Sequence, residues 1–332
     1  MITHMDDQTG TAVRSNGPSA DVQENMSRAL RKTLHKLSVA IGKVMETDDP
    51  EIVHDTRVVC RRLQQRLSVF FPKPRSNKIR KLRRDLRRIR RRLGEWRNCD
   101  VLLGLVACES NAADNPEKAG AWKLVRDYLA ERRSQQIRRC RRKMQKYDRP
   151  DFFAKLEKIL SALPDQEQTR LRERARDAEN AARQKWQAAL SQAAASYAPR
   201  DLHAFRIATK RLRYRAELIR QLGDGNRSAV LDSLKTIQDL LGKWHDRQSL
   251  QVVIAEAVAQ PELLIREPVL ARVALQELER IQVDEEKQAR DIINFACERA
   301  GLYKEEVAFP NPDDLASSDA KDLAQQSGPH DS

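Results

Sequence analysis

Aromatic residues make up only 5% of this 332-residue chain, and it holds just 11 glycines. Ala, Leu, Arg, Glu and Gln abound instead, which is the composition of long helices. Nothing alternates at period two for long, so strands are not expected. No apolar run approaches the roughly eighteen residues that a bilayer span needs. The longest near-apolar stretches, 101–108 and 252–259, read as core helix. The first residues, MITHMDDQTG, have no charged-then-apolar pattern of a secretory leader, so a soluble cytoplasmic protein without membrane insertion is expected. The cysteines number five, an odd count, and none form a C-x-x-C pair. That excludes a disulfide framework and a zinc site of the usual spacing, and Cys60, Cys99, Cys108, Cys140 and Cys297 are expected to pack as small reduced apolar residues. There is no glycine-rich phosphate loop and no carboxylate cluster that could hold Mg²⁺, which argues against an enzyme acting on nucleotides or polyphosphate.

What the chain does have is positive charge arranged in a repeat. The formal charge is +14. Residues 53–67, VHDTRVVCRRLQQRL, are echoed 149 positions later by residues 202–216, LHAFRIATKRLRYRA. His54 matches His203, Arg57 matches Arg206, Arg61 matches Lys210 and Arg62 matches Arg211; Pro50 matches Pro199 at the same offset. A second echo follows at an offset of 148: Leu93-Gly94-Glu95-Trp96-Arg97-Asn98 against Leu241-Gly242-Lys243-Trp244-His245-Asp246. Two ordered echoes at nearly one spacing indicate an internal duplication. Wound at about 100° per residue, His54, Arg57 and Arg61 share one helix face and Arg62 flanks it, while Val59, Leu63, Leu67 and Phe70 gather opposite. In the second copy His203, Arg206, Lys210 and Arg213 share a face, with Phe205, Ala208, Leu212 and Ile219 behind them. Each helix thus buries an apolar stripe and shows a His/Arg/Lys stripe. Like charges on one face repel, a cost that is tolerable when the face is well solvated or a polyanion lies on it.

In chain order, residues 1–21 lack periodicity and read as a disordered arm. A helix from 22 to about 46 buries Leu30, Leu34, Leu37 and Ile41 and carries Arg28, Lys32 and Lys36 on its polar face. The His54 helix follows, capped by Asp49 and ended by Pro72. Residues 73–97 hold thirteen Lys/Arg against two acids, a net charge of +11. Ile79, Leu82, Leu86, Ile89, Leu93 and Trp96 nevertheless recur at steps of three and four, so this is a packed helix and not a basic tail. Arg83, Arg84, Arg87, Arg90 and Arg91 lie on its remaining surface. A helix over about 117–147 closes the first half (about 22–147), and a short linker helix at 150–163 joins it to the second (about 167–302). There helices are expected at about 167–197, 199–222, 226–259 and 267–302. From 303 to 332 seven acids face two lysines, so a disordered acidic tail is expected.

HxxRVxxRRL followed by LGxxRNxDVL, then HxxRIxxKRLRYxxEL followed by LGxxHD, resembles the CHAD domain, the conserved-histidine α-helical family. The resemblance spans roughly residues 22–302. It implies an all-α fold of two pseudo-symmetric antiparallel helical-bundle halves around one basic central groove, and it implies binding of inorganic polyphosphate. The matched positions are His54, Arg57, Arg61, His203, Arg206, Lys210 and Arg213. Arg62, Arg211, Arg28, Lys32, Arg83, Arg87, Arg90 and Arg97 complete the expected binding set. Two positions depart from the pattern: Gln64 stands where the second copy has Arg213, and Cys99 interrupts what resembles an Arg-Asp-x-Asp run.

The residues agree with this independently. Polyphosphate has one negative charge per unit and no bases, so rigid forked and point-like cations suffice to hold it. A nucleic-acid reader would interleave aromatics for stacking. Here Trp96, Trp122, Trp186 and Trp244 fall in apolar phase and are expected in the core. The expected function is non-enzymatic polyphosphate binding in the cytoplasm, with recruitment to polyphosphate granules and other polyanions as further partners. The alternative is RNA or DNA binding through the same surface. No catalytic residue, cofactor or metal is assigned: no His or carboxylate recurs at i+3 or i+4 beside His54 or His203. His54-Asp55 and His245-Asp246 are adjacent and diverge on a helix, so they make poor dyads. His54 and His203 are expected to gain charge near pH 6 and strengthen anion binding.

Overall fold

The computed structural model describes residues 18–72, 74, 76–147, 153, 154, 158, 168–222 and 227–301, without the side chains of 18–31, 70 and 168–171. Among these residues there are nine helices and no strand: α1 Pro18–Glu46, α2 Pro50–Phe70, α3 Asn77–Asn111, α4 Pro116–Met144, α5 Gln168–Ser196, α6 Pro199–Gln221, α7 Ser228–Val258, α8 Pro261–Arg266 and α9 Pro268–Ala300. Six of them begin on a proline, because a residue without an N–H removes nothing from the first turn. The side chain of Asp49 accepts a hydrogen bond from the Glu51 N–H at 2.8 Å and so caps α2. The first helix begins four residues ahead of the expected 22, at Pro18. A short helix, α8, fills the 258–268 turn that composition left as a connection. Residues 1–17 of the expected 1–21 arm, most of the 150–163 linker helix and the expected 303–332 tail lie outside the described residues.

The apolar stripes meet in three cores. The first gathers Leu37 and Ile41 of α1, Leu63 and Leu67 of α2, Leu86, Ile89 and Trp96 of α3 and the end of α4. The second gathers Trp186 of α5, Phe205 and Leu212 of α6, Leu234 and Trp244 of α7 and Ile293 of α9. The third joins the C-terminal parts of α3 and α7 (Leu102, Val106; Val253, Ile254) to the N-terminal parts of α4 and α9 (Trp122, Val125; Ala274, Ile281). Packing therefore crosses the 147–167 boundary: Leu218 and Ile219 of α6 and Ala175 of α5 belong to the first core. α3 and α7 each serve two cores, and their Leu-Gly-x-x segments sit where one core gives way to the next. All four tryptophans are buried, at 0–2% exposure. Trp186 donates to Thr209 Oγ1 at 3.0 Å, and Thr209 in turn donates to the Phe205 carbonyl at 2.9 Å, so the indole N–H is satisfied inside an apolar core.

Cys60, Cys99 and Cys140 are buried as expected, but Cys108 and Cys297 are exposed. Each lies on a helix at a position where the neighbouring core faces the other way. No helix among the described residues is long and apolar enough to cross a membrane.

Candidate functional site

The basic stripes of α2 and α6 lie side by side, bridged by polar contacts. Arg61 Nη1 donates to the Tyr214 hydroxyl at 3.1 Å, and Arg215 donates to the Gln65 carbonyl at 2.9 Å and to Ser68 Oγ at 2.7 Å. Two further helices add to the shared face. From α3, Arg90 and Arg97 reach it; from α7, His245 and Asp246 do. Arg57 crosses to α3, where its Nη1 donates to the Arg90 carbonyl at 2.7 Å. That crossing depends on Gly94, since a Cβ built there would stand 3.1 Å from Arg57 Nη1. The equivalent Gly242 has nothing within 4 Å of such a Cβ.

The result is a cluster of six cations from three helices: Arg57 and Arg61 of α2, Arg90 and Arg97 of α3, and Arg206 and Lys210 of α6. All six are half-buried. Of these only Arg97 has a carboxylate within ion-pair distance among the described residues, Glu51 at 4.0 Å. Their proton affinities record the crowding. Burial, then the charges of Arg61, Arg90 and Arg97, lowers Arg57 to about 10. Burial, then Arg206 and Arg61, lowers Lys210 to about 6. Arg90 and Arg206 are lowered for the same reasons. Arg61 is the hub, because its charge is felt by Arg57, Arg90, Arg206 and Lys210.

The histidines stand at the rim. His54 and His203 are exposed residues in the first turns of α2 and α6. Burial lowers both pKa values, helped by Arg97 at His54 and by Arg206 and Lys210 at His203. This runs against the sequence-based expectation that these rings gain charge near pH 6: the cations around them oppose a proton. His203 stacks obliquely against His245, with ring centroids 5.4 Å apart. Burial, then Arg206, lowers His245 to about 4. His245 Nδ1 and Arg206 Nε are buried with no hydrogen-bond partner among the described residues.

The other residues of the expected set divide into three groups. Arg62, Arg87 and Arg211 are exposed on the flanks. Arg62 bears on Arg66, Arg87 on Arg90 and Arg211 on Arg215. Arg83 is turned aside, donating to the Phe71 carbonyl at 3.1 Å. Arg213 is drawn to Glu217 at 3.6 Å, one turn along α6. Lys32 is exposed on α1, and the side chain of Arg28 lies outside the described residues.

Three residues of the cluster escaped the sequence reading. Tyr214 is buried between the arginines, with Arg61 and Arg213 at 5.8 and 5.1 Å from its ring centroid. His245 and Asp246 were set aside because neighbours on a helix diverge. Both nevertheless face the cluster, because α7 passes it at a junction between cores: His245 lies against His203 of α6, and Asp246 feels the charges of Arg206 and Lys210 of α6 and Arg97 of α3. The signal was present in the Leu-Gly-x-x-His-Asp echo, where His245 occupies the place of Arg97.

A family model for the CHAD domain matches residues 28–255. The chain belongs to the CHAD-domain family. Solved structures that resemble it include two CHAD-like folds. One is the CHAD domain from the plant Ricinus communis, 23% identical, covering 85% of this chain and 91% of that one at a TM-score of 0.59. The other is PptA from Streptomyces chartreusis, 16% identical, covering 84% of this chain and 98% of that one at a TM-score of 0.58. At these identities they bear on the fold alone. No curated protein matches the chain. In this CHAD domain no three His, Cys, Asp or Glu side chains come together as a metal site among the described residues.

Proposed function

We propose that this CHAD-domain protein binds inorganic polyphosphate, without chemical conversion, in a groove between α2 and α6. The observation that carries the reading is the cluster of six basic side chains, held half-buried with almost no carboxylate in ion-pair contact among the described residues. Such a cluster destabilises the free fold, and an extended chain of phosphates would neutralise it through charge-assisted hydrogen bonds. A phosphate chain also suits what is missing. The tryptophans are buried, and Tyr214 is only 6% exposed, so among the described residues neither a tryptophan nor Tyr214 offers the groove a platform on which bases could stack. His54 and His203 at the rim, with Arg62, Arg87 and Arg211 on the flanks, extend the same surface for a longer chain.

Competition tests this reading. Long-chain polyphosphate should displace single-stranded RNA or DNA from the protein at comparable phosphate concentration, and the reverse should fail. Nucleic acid displacing polyphosphate would transfer the groove to the RNA/DNA alternative. Incubation with polyphosphate and Mg²⁺ should release no phosphate; release would make the protein an enzyme. In cells, recruitment to cytoplasmic polyphosphate granules follows from this function and is checked by imaging a fluorescent fusion before and after depletion of polyphosphate.

A further inference from the structure

Asp246 is out of place in a site for polyanions. It projects from α7 into the cation cluster, half-buried, and the charges of Arg206 and Lys210 from α6 and of Arg97 from α3 act on it. Yet it makes no hydrogen bond or ion pair with any of them among the described residues. A carboxylate kept to steady arginines would touch them, as Glu217 touches Arg213. Asp246 feels these charges from beyond ion-pair distance, and its neighbour His245 has a buried Nδ1 with no partner among the described residues. A group bridging carboxylate and cations must offer oxygens to the cations and a hydrogen to the carboxylate.

Phosphate chemistry supplies one such group. An internal unit of a polyphosphate has a single strongly acidic ionisation and holds no proton near neutrality. A terminal unit has a second ionisation, near pH 6 as in a phosphomonoester, and so presents a P–OH. We propose that Asp246 recognises the free end of a phosphate chain: the terminal P–OH donates a hydrogen bond to its carboxylate while Arg206, Lys210 and Arg97 hold the remaining oxygens. This rests on the polyphosphate reading and adds polarity to it, since an internal unit at the same place would press an anion on an anion with no proton between them. Burial raises the Asp246 pKa, against the opposing charges of Arg206 and Lys210 from α6 and Arg97 from α3.

Two small probes separate ends from charge. Linear tripolyphosphate has free ends; cyclic trimetaphosphate has none. Their affinities are compared by calorimetry at several pH values from 6 to 10, for the wild type and for the isosteric, neutral Asp246→Asn. Charge alone predicts that the linear-to-cyclic affinity ratio rises with pH, because tripolyphosphate gains charge as its ends ionise in turn. End recognition predicts the opposite: the wild-type ratio is greatest at pH 6 and falls by about tenfold once both ends are ionised, the loss of one charge-assisted hydrogen bond. Changes in Lys210 and the histidines act on both probes and cancel in the ratio. In Asp246→Asn the ratio at pH 6 should drop by a similar factor, chiefly through tighter binding of the cyclic probe. A wild-type ratio that rises with pH overturns the proposal without any variant. So does an Asp246→Asn protein in which both probes gain by the same factor, for Asp246 would then be a plain counter-ion. If neither probe nor long-chain polyphosphate binds, the polyphosphate reading itself has failed and this inference falls with it.

Discussion

Lys210 offers the most demanding test of the groove. Its pKa in the free protein is about 6, through burial and then the charges of Arg206 and Arg61, against 10.5 for an ordinary lysine. At pH 7 the free side chain is therefore mostly neutral. A phosphate chain brings opposite charge to within contact and restores the lysine's proton. Binding then takes up close to one proton per site at pH 7, about 0.9 by the titration curve of a group at pH 6. The linkage has a definite sign. Affinity is highest below the free-state pKa and falls as pH rises through it, by about 50-fold between pH 6 and pH 8 if the bound pKa is 9 or more. That is about 2.3 kcal/mol. Lys210→Arg keeps the charge at every pH and should remove this part of the dependence, binding more tightly than wild type at pH 8. Lys210→Met should remove it too, by binding weakly throughout. Calorimetry in two buffers of different ionisation enthalpy counts the protons directly. If the wild type takes up no more protons than Lys210→Arg, Lys210 is charged in the empty groove and the reasoning is wrong. Stability gives an independent check. A lysine whose folded pKa lies below its unfolded one makes the native state bind fewer protons, so its destabilising effect is full below pH 6 and relieved as pH rises toward 10.5. Lys210→Met should accordingly melt higher than wild type at pH 7, by an amount of order 1–4 kcal/mol in stability, even as it loses polyphosphate.

Other outcomes follow from the same geometry. Arg57→Ala with Arg206→Ala should weaken polyphosphate binding by about 100-fold or more, at one charge-assisted contact per arginine, whereas Arg84→Ala with Arg91→Ala on the exposed side of α3 should change it by less than about fivefold. The slope of log affinity against log salt should be steep for the wild type, about 4 for six contacts if the chain behaves as a flexible single strand, and should flatten by about 1.4 in the first pair. Gly94→Ala should loosen binding several-fold by pushing Arg57 from the Arg90 carbonyl, and Gly242→Ala, with open space at its Cβ, should leave affinity unchanged and raise helix stability by about 1 kcal/mol. Tyr197 follows α5 with φ at 50°, a left-handed conformation that a bulky residue adopts at a cost. Tyr197→Gly should therefore stabilise the fold by about 1 kcal/mol in denaturant titration, since this side chain is largely outside the cores.

Sequence alone determined the helices, because a helix is a local object. The 3.6-residue spacing of Leu82, Leu86, Ile89 and Leu93 made a packed helix out of the most basic stretch of the chain, and prolines at 50 and 199 marked where the two histidine helices begin. The echo of His54-Arg57-Arg61 in His203-Arg206-Lys210 identified two stripes worth joining. It even contained a warning that passed unused: Arg213 and Glu217 are four residues apart on one helix, a pairing that needs no fold to foresee. What tertiary structure decided is which charges share a site and what that does to them. Arg90 and Arg97 leave the outer surface of α3 because α2 lies against its flank, while Arg83, seven residues earlier on the same flank, is taken by the Phe71 carbonyl. Tyr214, His245 and Asp246 enter the cluster through helix crossings between segments far apart in the chain. The largest consequence, a lysine neutral at pH 7 and histidines that resist a proton, arises from burial and from cations on neighbouring helices. Coulomb energy depends on distance through space and on the solvent left between the charges, and neither quantity is written in the order of residues along the chain.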